Sequence, residues 1–197
     1  MEVLLKTLRN RKTSTNTFRK ISGKLCSKLA FNLSAILRKR HVSSEKIVVI
    51  IILRAAIAML EPVLCQFPKA PVGVLGIKRD EYTFSPRWYY ENLPSLSKQS
   101  IVIILDPMLA TGGSAEAAVL RLIERGAKSE NIYFLGIVGA PEGLSRLAYF
   151  VPRENIILAA IDRGLDIKKY IVPGLGDFGD RYFGHGGTAS FKKLSIK

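Results

Sequence analysis

Five apolar runs divide the chain, and the stretches between them are polar or show helical spacing. The runs are rich in Ile, Val and Leu without alternating polar residues, which is typical of strands buried on both faces of a parallel sheet. They predict strands at 47–53, 72–77, 101–105, 131–138 and 155–161. Strands that alternate with helices imply right-handed crossovers, with ligand loops at the strands' carboxyl ends. The pattern predicts an α/β fold with an open, mainly parallel sheet flanked by helices.

An amphipathic pattern before the first run predicts one long helix. Its start is expected at residues 14–17, where Ser and Thr are suited to helix capping, and the residues before it are expected to form a short arm. One helical face carries Phe18, Ile21, Leu25, Leu29, Leu33 and Ile36, and another carries Lys20, Lys24 and Lys28. Such a helix covers either the sheet or a subunit interface.

A segment rich in aromatic residues follows the second predicted strand. It reads EYTFSPRWYYENLP at 81–94, and its proline and alternating charges favour an extended hairpin or arm over a helix. Because exposed aromatic side chains are unfavourable without a partner, we expect this segment to contact another subunit or to cover a site.

The run at 101–105 leads into the clearest candidate site, IVIILDPMLATGGS at 101–114. Asp106 ends the predicted strand, and small residues then precede a helical pattern in which Ala118, Leu122 and Ile123 are apolar. The free amides at a helix start attract phosphate, and glycines let the backbone approach it. An aspartate at the end of a buried strand is well placed to hold ribose hydroxyls. The alternative is that this turn only connects a strand to a helix.

Length and composition indicate a single domain. The chain has 197 residues, of which 48% are hydrophobic, enough for a sizeable core. The apolar runs are too short to span a membrane, and no N-terminal stretch has the apolar core of a signal peptide, so a cytoplasmic protein is expected. We expect one domain over 1–197, with an arm and a basic amphipathic helix at roughly 1–46.

The net charge of +14 raises nucleic-acid binding as a rival function. Residues 1–46 contain twelve Lys or Arg and two Glu, a net +10, which leaves +4 for the rest of the chain. This segment has three interpretations: it steers a polyanionic substrate, it binds an acidic partner or nucleic acid, or it is a solvated face.

The cysteines and histidines do not indicate a metal site or a catalytic pair. Cys26 and Cys65 lack metal-ligand spacing and are interpreted as buried thiols. His41 and His185 are interpreted as structural or exposed.

A second glycine-rich stretch, YIVPGLGDFGDRYFG, lies at 170–184. Its Gly174, Gly176 and Gly179 formally match the dinucleotide pattern G-x-G-x-x-G. We reject that interpretation because no helical pattern follows, Pro173 interrupts the approach, and no acid lies downstream of Asp180 to hold a ribose.

Both glycine-rich stretches resemble one enzyme family. DPMLATGGS at 106–114 resembles the loop that binds phosphoribosyl diphosphate (PRPP) in uracil phosphoribosyltransferases, and 170–184 resembles the uracil-binding hood of the same family. LRNRKTSTNTFR is similar to the family's N-terminal arm, and APEGLSRLAYF at 140–150 to one of its helix starts. The resemblance implies a type I phosphoribosyltransferase fold, with a β-arm and a hood, that converts uracil and PRPP to uridine monophosphate and diphosphate in pyrimidine salvage.

The resemblance also implies the site residues. For PRPP they are Arg54, Arg79, Asp106, Pro107, Met108, Leu109, Ala110, Thr111, Gly112, Gly113, Ser114 and Asp177, and for uracil Ile171, Gly176, Asp177 and Phe178. Asp177, Arg54 and Arg79 are the candidate catalytic residues. Mg²⁺ is expected as a cofactor, held mainly by PRPP and water, and a homodimer or homotetramer and a GTP effector are implied as partners. Glu142 is assigned no role.

Arg54 directly follows a predicted strand, so from position alone it is either a boundary charge or an anion ligand. In the family this place belongs to a loop that holds the diphosphate, and there Ala56 and Ala58 stand where glycine is usual. An added Cβ would alter a loop that needs glycine's freedom or a close approach. Two alternatives to an ordinary enzyme remain. One is an RNA-binding regulator with this fold, although the sequence contains no recognised RNA-binding module. The other is an enzyme weakened by the two alanines.

Overall fold

The computed structural model describes residues 1–79 and 86–185, apart from the side chain of Arg79. Its central sheet has the strand order β3-β2-β1-β4-β6, and β5 and β7 both pair with β6. All pairs are parallel except β2 with β3. The strands are β1 Ile47–Leu53, β2 Val72–Arg79, β3 Pro86–Asn92, β4 Ile101–Leu105, β5 Met108–Leu109, β6 Ile132–Gly139 and β7 Ile156–Ile161. The prediction of an open, mainly parallel sheet is confirmed.

Helices cover both faces of this sheet. They are α1 Glu2–Arg9, α2 Thr15–Lys39, α3 Ile57–Leu64, α4 Gly113–Glu124, α5 Pro141–Leu147 and α6 Phe178–Phe183. Short 3₁₀ turns at Ser44–Lys46, Ser129–Asn131 and Arg153–Asn155 lead into β1, β6 and β7, and a separate antiparallel pair joins β8 Gly164–Leu165 to β9 Ile171–Val172. No helix in the described part of the chain is long and apolar enough to cross a membrane.

The core consists of two layers, one on each side of the sheet. In β1, Val49 and Ile51 face the layer formed with α1, α2, α3 and α6, whereas Val48, Ile50 and Ile52 face the layer formed with α4. Both sets are buried. A strand buried on both faces has no polar side, which is why its sequence does not alternate.

The predicted long helix is α2, and it begins where capping residues indicated. Ser14 is its N-cap, and the Ser14 hydroxyl accepts a hydrogen bond of 3.3 Å from the Thr17 amide. Four of the predicted apolar positions are buried, Phe18, Leu25, Leu29 and Leu33, while Ile21 and Ile36 are half-buried and the three lysines are exposed. The helix therefore covers the sheet.

Three expectations were wrong. The predicted N-terminal arm is largely the helix α1, because Leu5 and Leu8 lie one turn apart and are buried on the core. Cys65 is exposed, since it follows the last residue of α3. A six-residue helix, α6, does follow Gly174 and Gly176 within the glycine-rich stretch at 170–184, and its start is capped by Asp177.

The aromatic segment contributes β3, which pairs antiparallel with β2 and extends the sheet at one edge. The hairpin expectation is confirmed for 86–92, and residues 80–85 lie outside the described residues. Trp88, Tyr89 and Tyr90 are 39–56% exposed, so this edge of the sheet presents a largely apolar surface.

Candidate active site

The candidate loops meet at the edge of the sheet formed by the carboxyl ends of the parallel strands. Strands β1 and β4 are neighbours in parallel register, so Arg54 after β1 and Asp106 after β4 leave the sheet on the same side. β2 lies on the other side of β1 and also runs parallel to it, which places the backbone of Arg79 at that edge. The side chain of Arg79 lies outside the described part of the structure.

The loop after β4 forms an anion-binding turn at the start of a helix. α4 is a 12-residue helix that begins at Gly113, and its N-cap Gly112 has a φ of +79°, a conformation that favours glycine. A Cβ on Gly112 would lie 3.0 Å from the carbonyl oxygen of Gly143, so a larger residue would also be crowded. The residues Asp106 and 108–115 line a cavity of about 110 Å³. Amides at a helix N-terminus stabilise a negative charge, and this cavity has the size and donors for a phosphate group.

Asp106 lies at the inner end of this cavity. One of its carboxylate oxygens accepts a hydrogen bond of 3.2 Å from the Met108 amide. Burial raises the pKa of Asp106 to about 7, and the Met108 hydrogen bond offsets only part of that rise. A carboxylate in this position is stabilised by any ligand that brings hydrogen-bond donors, as the hydroxyl groups of a sugar do.

Arg54 lies between the sheet edge and the C-terminal helix. It is exposed, and its guanidinium carbon is 5.8 Å from the centre of the Phe183 ring in α6. The peptide bond between Leu53 and Arg54 is cis. Burial and the neighbouring Asp177 charge raise the pKa of Asp180, while the Arg54 charge opposes that rise, which also indicates that Arg54 is close to α6. The structure thus brings the loop after β1 and the C-terminal segment together.

Neither alanine in this loop occupies a conformation that needs glycine. Ala56 has φ −65° and ψ −14°, which is ordinary right-handed helical backbone, and Ala58 lies within α3. The side chain of Ala56 is fully buried in the core layer beneath the sheet. The loop is therefore compatible with alanine at both positions.

The four candidate uracil-binding residues lie on β9 and at the start of α6. Ile171 is buried, and Gly176 has a φ of +75°. Asp177 is exposed, and its side chain accepts a hydrogen bond of 2.8 Å from the Asp180 amide. Phe178 is only 2% exposed because its ring packs on Phe18 of α2, with 5.1 Å between ring centres. Only the backbone of Phe178 remains available to a ligand at this loop.

Charged residues that sequence reasoning missed hold these loops. Arg9 pairs with Asp162, and Arg181 donates to the carbonyl of Leu175 at 2.7 Å. Glu142 accepts a hydrogen bond of 3.1 Å from the Leu165 amide. Arg146 forms an ion pair with Glu116 of α4 and lies beside Gly113. The partners are up to 153 residues apart, and no local pattern signals such pairs.

The two histidines are exposed. His41 precedes β1 by six residues and so lies towards the amino end of that strand, opposite the edge that carries the candidate site. His185 stacks on Phe183 at 6.5 Å between ring centres. Among residues 1–79 and 86–185, no three His, Cys, Asp or Glu side chains are grouped as metal ligands.

The family model and the sequence relatives indicate one family, and solved structures share the fold of this chain. The family model described as uracil phosphoribosyltransferase matches residues 33–185. The chain is 41% identical, over 191 residues and 90% of each sequence, to a uracil phosphoribosyltransferase of Geobacillus kaustophilus. The AQ2163 protein of Aquifex aeolicus has a similar structure, with a TM-score of 0.82, 35% identity and coverage of 92% of this chain and 93% of that one. APRTase of Giardia lamblia, complexed with 9-deazaadenine, shares the fold at a TM-score of 0.55 and 18% identity, with 70% of this chain and 80% of that one covered.

Proposed function

The chain belongs to the uracil phosphoribosyltransferase family, and we propose that it converts uracil and PRPP to uridine monophosphate and diphosphate in pyrimidine salvage. The observation that carries the proposal is the cavity bounded by Asp106 and the start of α4, because it combines a phosphate-sized pocket with a carboxyl group for sugar hydroxyls. A second glycine-rich loop, at 171–178, would supply a separate place for the base.

The PRPP end of the site would use the whole loop at 106–114. The amides at Thr111, Gly112, Gly113 and Ser114 would bind the 5′-phosphate, supported by the positive end of α4. The ionised Asp106 would accept hydrogen bonds from the ribose hydroxyls. Met108, Leu109 and Ala110 would form the wall of the pocket between these two groups, and Pro107 would join this wall to Asp106. Together they fix the sugar so that its C1′ has one orientation.

The diphosphate leaving group would lie between Arg54 and Arg79. Breaking the bond from C1′ to the diphosphate oxygen leaves positive character on the ribose and adds negative charge to the leaving group. Arginine side chains stabilise such a charge. Mg²⁺ belongs to the same proposal, held mainly by PRPP oxygens and water, with Asp177 as a candidate carboxylate. The ion would neutralise charge on the diphosphate.

Uracil would be recognised by backbone groups. Ile171 and residues 176–178 would offer peptide donors and acceptors to the uracil edge, which carries amide-like groups of its own. The buried ring of Phe178 keeps that backbone in place. Uracil N1 would then bond to C1′ as the bond from C1′ to the diphosphate oxygen breaks, and the N1 proton would pass to water. Asp177 is the carboxylate to test for an effect on this step, because it is exposed at the loop.

The direct test is a turnover assay of the purified chain with PRPP and Mg²⁺ and, in turn, uracil, adenine, hypoxanthine and orotate. We expect diphosphate release and nucleotide formation with uracil alone. Turnover with a purine and none with uracil would refute the base assignment.

An Asp177→Asn variant and an Arg54→Gln variant should both lower kcat/KM, and the Arg54 variant should mainly raise the KM for PRPP. Salt-dependent RNA binding without turnover would favour the regulator instead.

We further propose a homodimer or homotetramer in which the aromatic edge of the sheet contacts a second copy. Trp88, Tyr89 and Tyr90 of β3 and Leu120 of α4 border one open groove, and all four are exposed in the single chain. A cytoplasmic location and control by GTP complete the proposal. Adding GTP to the assay tests the effector. A turnover rate that does not change with GTP, at both saturating and limiting PRPP, would refute control by GTP.

A further inference from the structure

The carboxyl group of Asp162 connects the N-terminal helix to the candidate uracil loop. Asp162 follows β7, its side chain is 4% exposed, and its own amide donates to Gly139 at 2.8 Å. One oxygen accepts hydrogen bonds from the Gly174 amide at 2.8 Å and from Arg9 Nη1 at 2.7 Å. The other accepts from Arg9 Nη2 at 2.5 Å. Arg9 thus binds the carboxylate through both ends of its guanidinium group.

Arg9 also contacts the loop directly. Its Nη1 donates to the Gly174 carbonyl at 3.0 Å. Both polar backbone groups of Gly174, its amide and its carbonyl, are therefore held by the Arg9–Asp162 pair. Gly174 has a φ of +59°, and a Cβ there would collide with the carbonyl oxygen of Ile171. The turn depends on glycine, which by itself leaves the backbone free to adopt other conformations.

A second arginine holds the next residue of the loop. Arg181 Nη1 donates to the Leu175 carbonyl at 2.7 Å and also to the carbonyl of Leu8, and Nη2 donates to the Asn10 carbonyl at 2.8 Å. Its guanidinium carbon lies 4.2 Å from the centre of the Phe18 ring. The end of α1 and the residues just beyond it are thus bonded to both sides of the turn at 174–175.

These contacts order the backbone on which the base site depends. Gly176 follows directly, also with positive φ, and the next residues start α6. Backbone recognition of a small planar base needs donors and acceptors in fixed positions, and ordering a flexible loop during binding reduces affinity. A bidentate arginine–carboxylate pair with a buried carboxylate provides that order before the ligand arrives.

We propose that Arg9 and Asp162 are positioning residues for the uracil loop, so that helix α1 is a working part of the base site. The proposal rests on the function proposed above. It predicts a selective effect, because the Arg9–Asp162 pair holds Gly174, whereas the PRPP loop at 106–114 belongs to β4 and α4.

The test compares Arg9→Gln, Arg9→Lys and Asp162→Asn with Lys6→Gln as a matched control. Lys6 is an exposed cation on the same helix, and it makes no hydrogen bond or ion pair within the described part of the chain. We expect Arg9→Gln to raise the KM for uracil at least tenfold, about 1.4 kcal/mol, with the KM for PRPP changed less than about twofold. Arg9→Lys should be intermediate, because one ammonium group does not reproduce the bidentate contact. Lys6→Gln should match the wild type.

Removal of Arg9 leaves a buried carboxylate without its cation, so folding is controlled separately. The double variant with Arg9→Gln and Asp162→Asn replaces the ion pair with a neutral pair and should recover stability without recovering the KM for uracil. Equal loss of kcat/KM for both substrates, in proportion to the fall in melting temperature, would overturn the proposal.

Hydrogen exchange of the amides at 174–178 tests the positioning without using turnover. We expect faster exchange there in folded Arg9→Lys than in Lys6→Gln, and equal exchange would overturn the proposal. If the wild type does not use uracil, the proposed function fails, whereas faster exchange in Arg9→Lys would still support the ordering of the loop by Arg9.

Discussion

Asp106 illustrates how a single residue can be unfavourable for folding and useful for binding. The carboxyl group is buried at the end of β4, where the Met108 amide is its one hydrogen-bond donor among the described residues. Its pKa of about 7 means that near neutral pH the free protein holds it protonated part of the time. A polyhydroxylated ligand supplies the missing donors and favours the ionised form.

Replacing Asp106 by Asn should weaken PRPP binding and stabilise the fold above pH 7. An unfolded Asp titrates near ~3.9, so between about pH 4 and pH 7 the folded protein binds more protons than the unfolded chain. Stability from this group is greatest below pH 4 and is lost as the pH rises through 7. One pKa unit corresponds to ~1.4 kcal/mol, so the variant should gain on the order of 2–4 kcal/mol at pH 8.

Thermal unfolding of both proteins between pH 4 and pH 8 measures this difference. The KM for PRPP of the variant should rise by tenfold or more and lose its dependence on pH near 7. Parallel melting curves for wild type and variant across that range would contradict the assignment.

The buried ring of Phe178 should contribute to the free energy of unfolding, whereas only its backbone is available to a ligand. Its ring lies between Phe18 at 5.1 Å and Tyr182 at 6.0 Å and is nearly fully buried. Truncation to Ala leaves a cavity, and the expected cost is ~3–5 kcal/mol. Phe178→Leu, which fills much of the space, should cost less. Denaturant unfolding of both variants checks this, and a Phe178→Ala variant as stable as wild type would show that the ring does not anchor α6.

At the scale of elements, the loop between β1 and α3 departs from the glycine pattern of its family without strain. Residues 54–56 form a turn that runs directly into α3, and the backbone of Ala56 is right-handed. The Ala56 side chain adds to the core rather than projecting into the loop. This finding argues against the weakened enzyme, in which an alanine Cβ was expected to alter diphosphate binding.

Ala56→Gly should therefore leave PRPP affinity within about twofold while lowering stability by ~0.4–1 kcal/mol, because glycine adds freedom to the unfolded chain. Ala58→Gly within α3 serves as the matched variant and should cost about the same. The measurements are the KM for PRPP and the midpoint of urea unfolding. A tenfold tighter KM for PRPP in Ala56→Gly would show that the alanine does limit the loop.

At the scale of the molecule, the edge strand β3 has a surface that resembles a subunit interface. β3 carries three exposed aromatic side chains next to exposed Leu120 of α4. The basic N-terminal segment, by contrast, is partly used inside the chain: Arg9 pairs with Asp162, Arg19 donates to the Tyr182 carbonyl at 2.6 Å, and Arg40 donates to Tyr133 and Asn155. Only the Asp162 contact neutralises a positive charge, and the other contacts occupy hydrogen-bond donors of Arg19 and Arg40.

Trp88 is the sole tryptophan of the chain and lies on this edge, so its fluorescence reports on assembly. Dilution should move its emission to longer wavelength as copies separate, and Leu120→Lys should do so at higher protein concentration. Ile167→Lys, at an exposed apolar residue between β8 and β9, is the matched control and should behave as wild type. Sedimentation that shows a monomer at all concentrations would refute the interface.

Local pattern was enough for most of the fold. The strand at 47–53 was predicted to the residue, because a run buried on both faces has neither polar residues nor ambiguous ends. Ser14 marked the start of α2 through its own capping chemistry. Helix α1 was missed although Leu5 and Leu8 have helical spacing, because the charged and polar residues around and after them were interpreted as an arm.

The sequence by itself determined the alternation of strands and helices, the glycine turn at 112 and the two motifs that indicate PRPP and uracil, because these depend on residues adjacent in the chain. Only the tertiary structure decided which charges hold those motifs. Arg9 and Asp162 are 153 positions apart, and burial makes them a pair that orders Gly174. The pKa of Asp106 was decided in the same way, because desolvation depends on all the residues packed around the carboxyl group. The residues next to Asp106 in the sequence do not determine it alone.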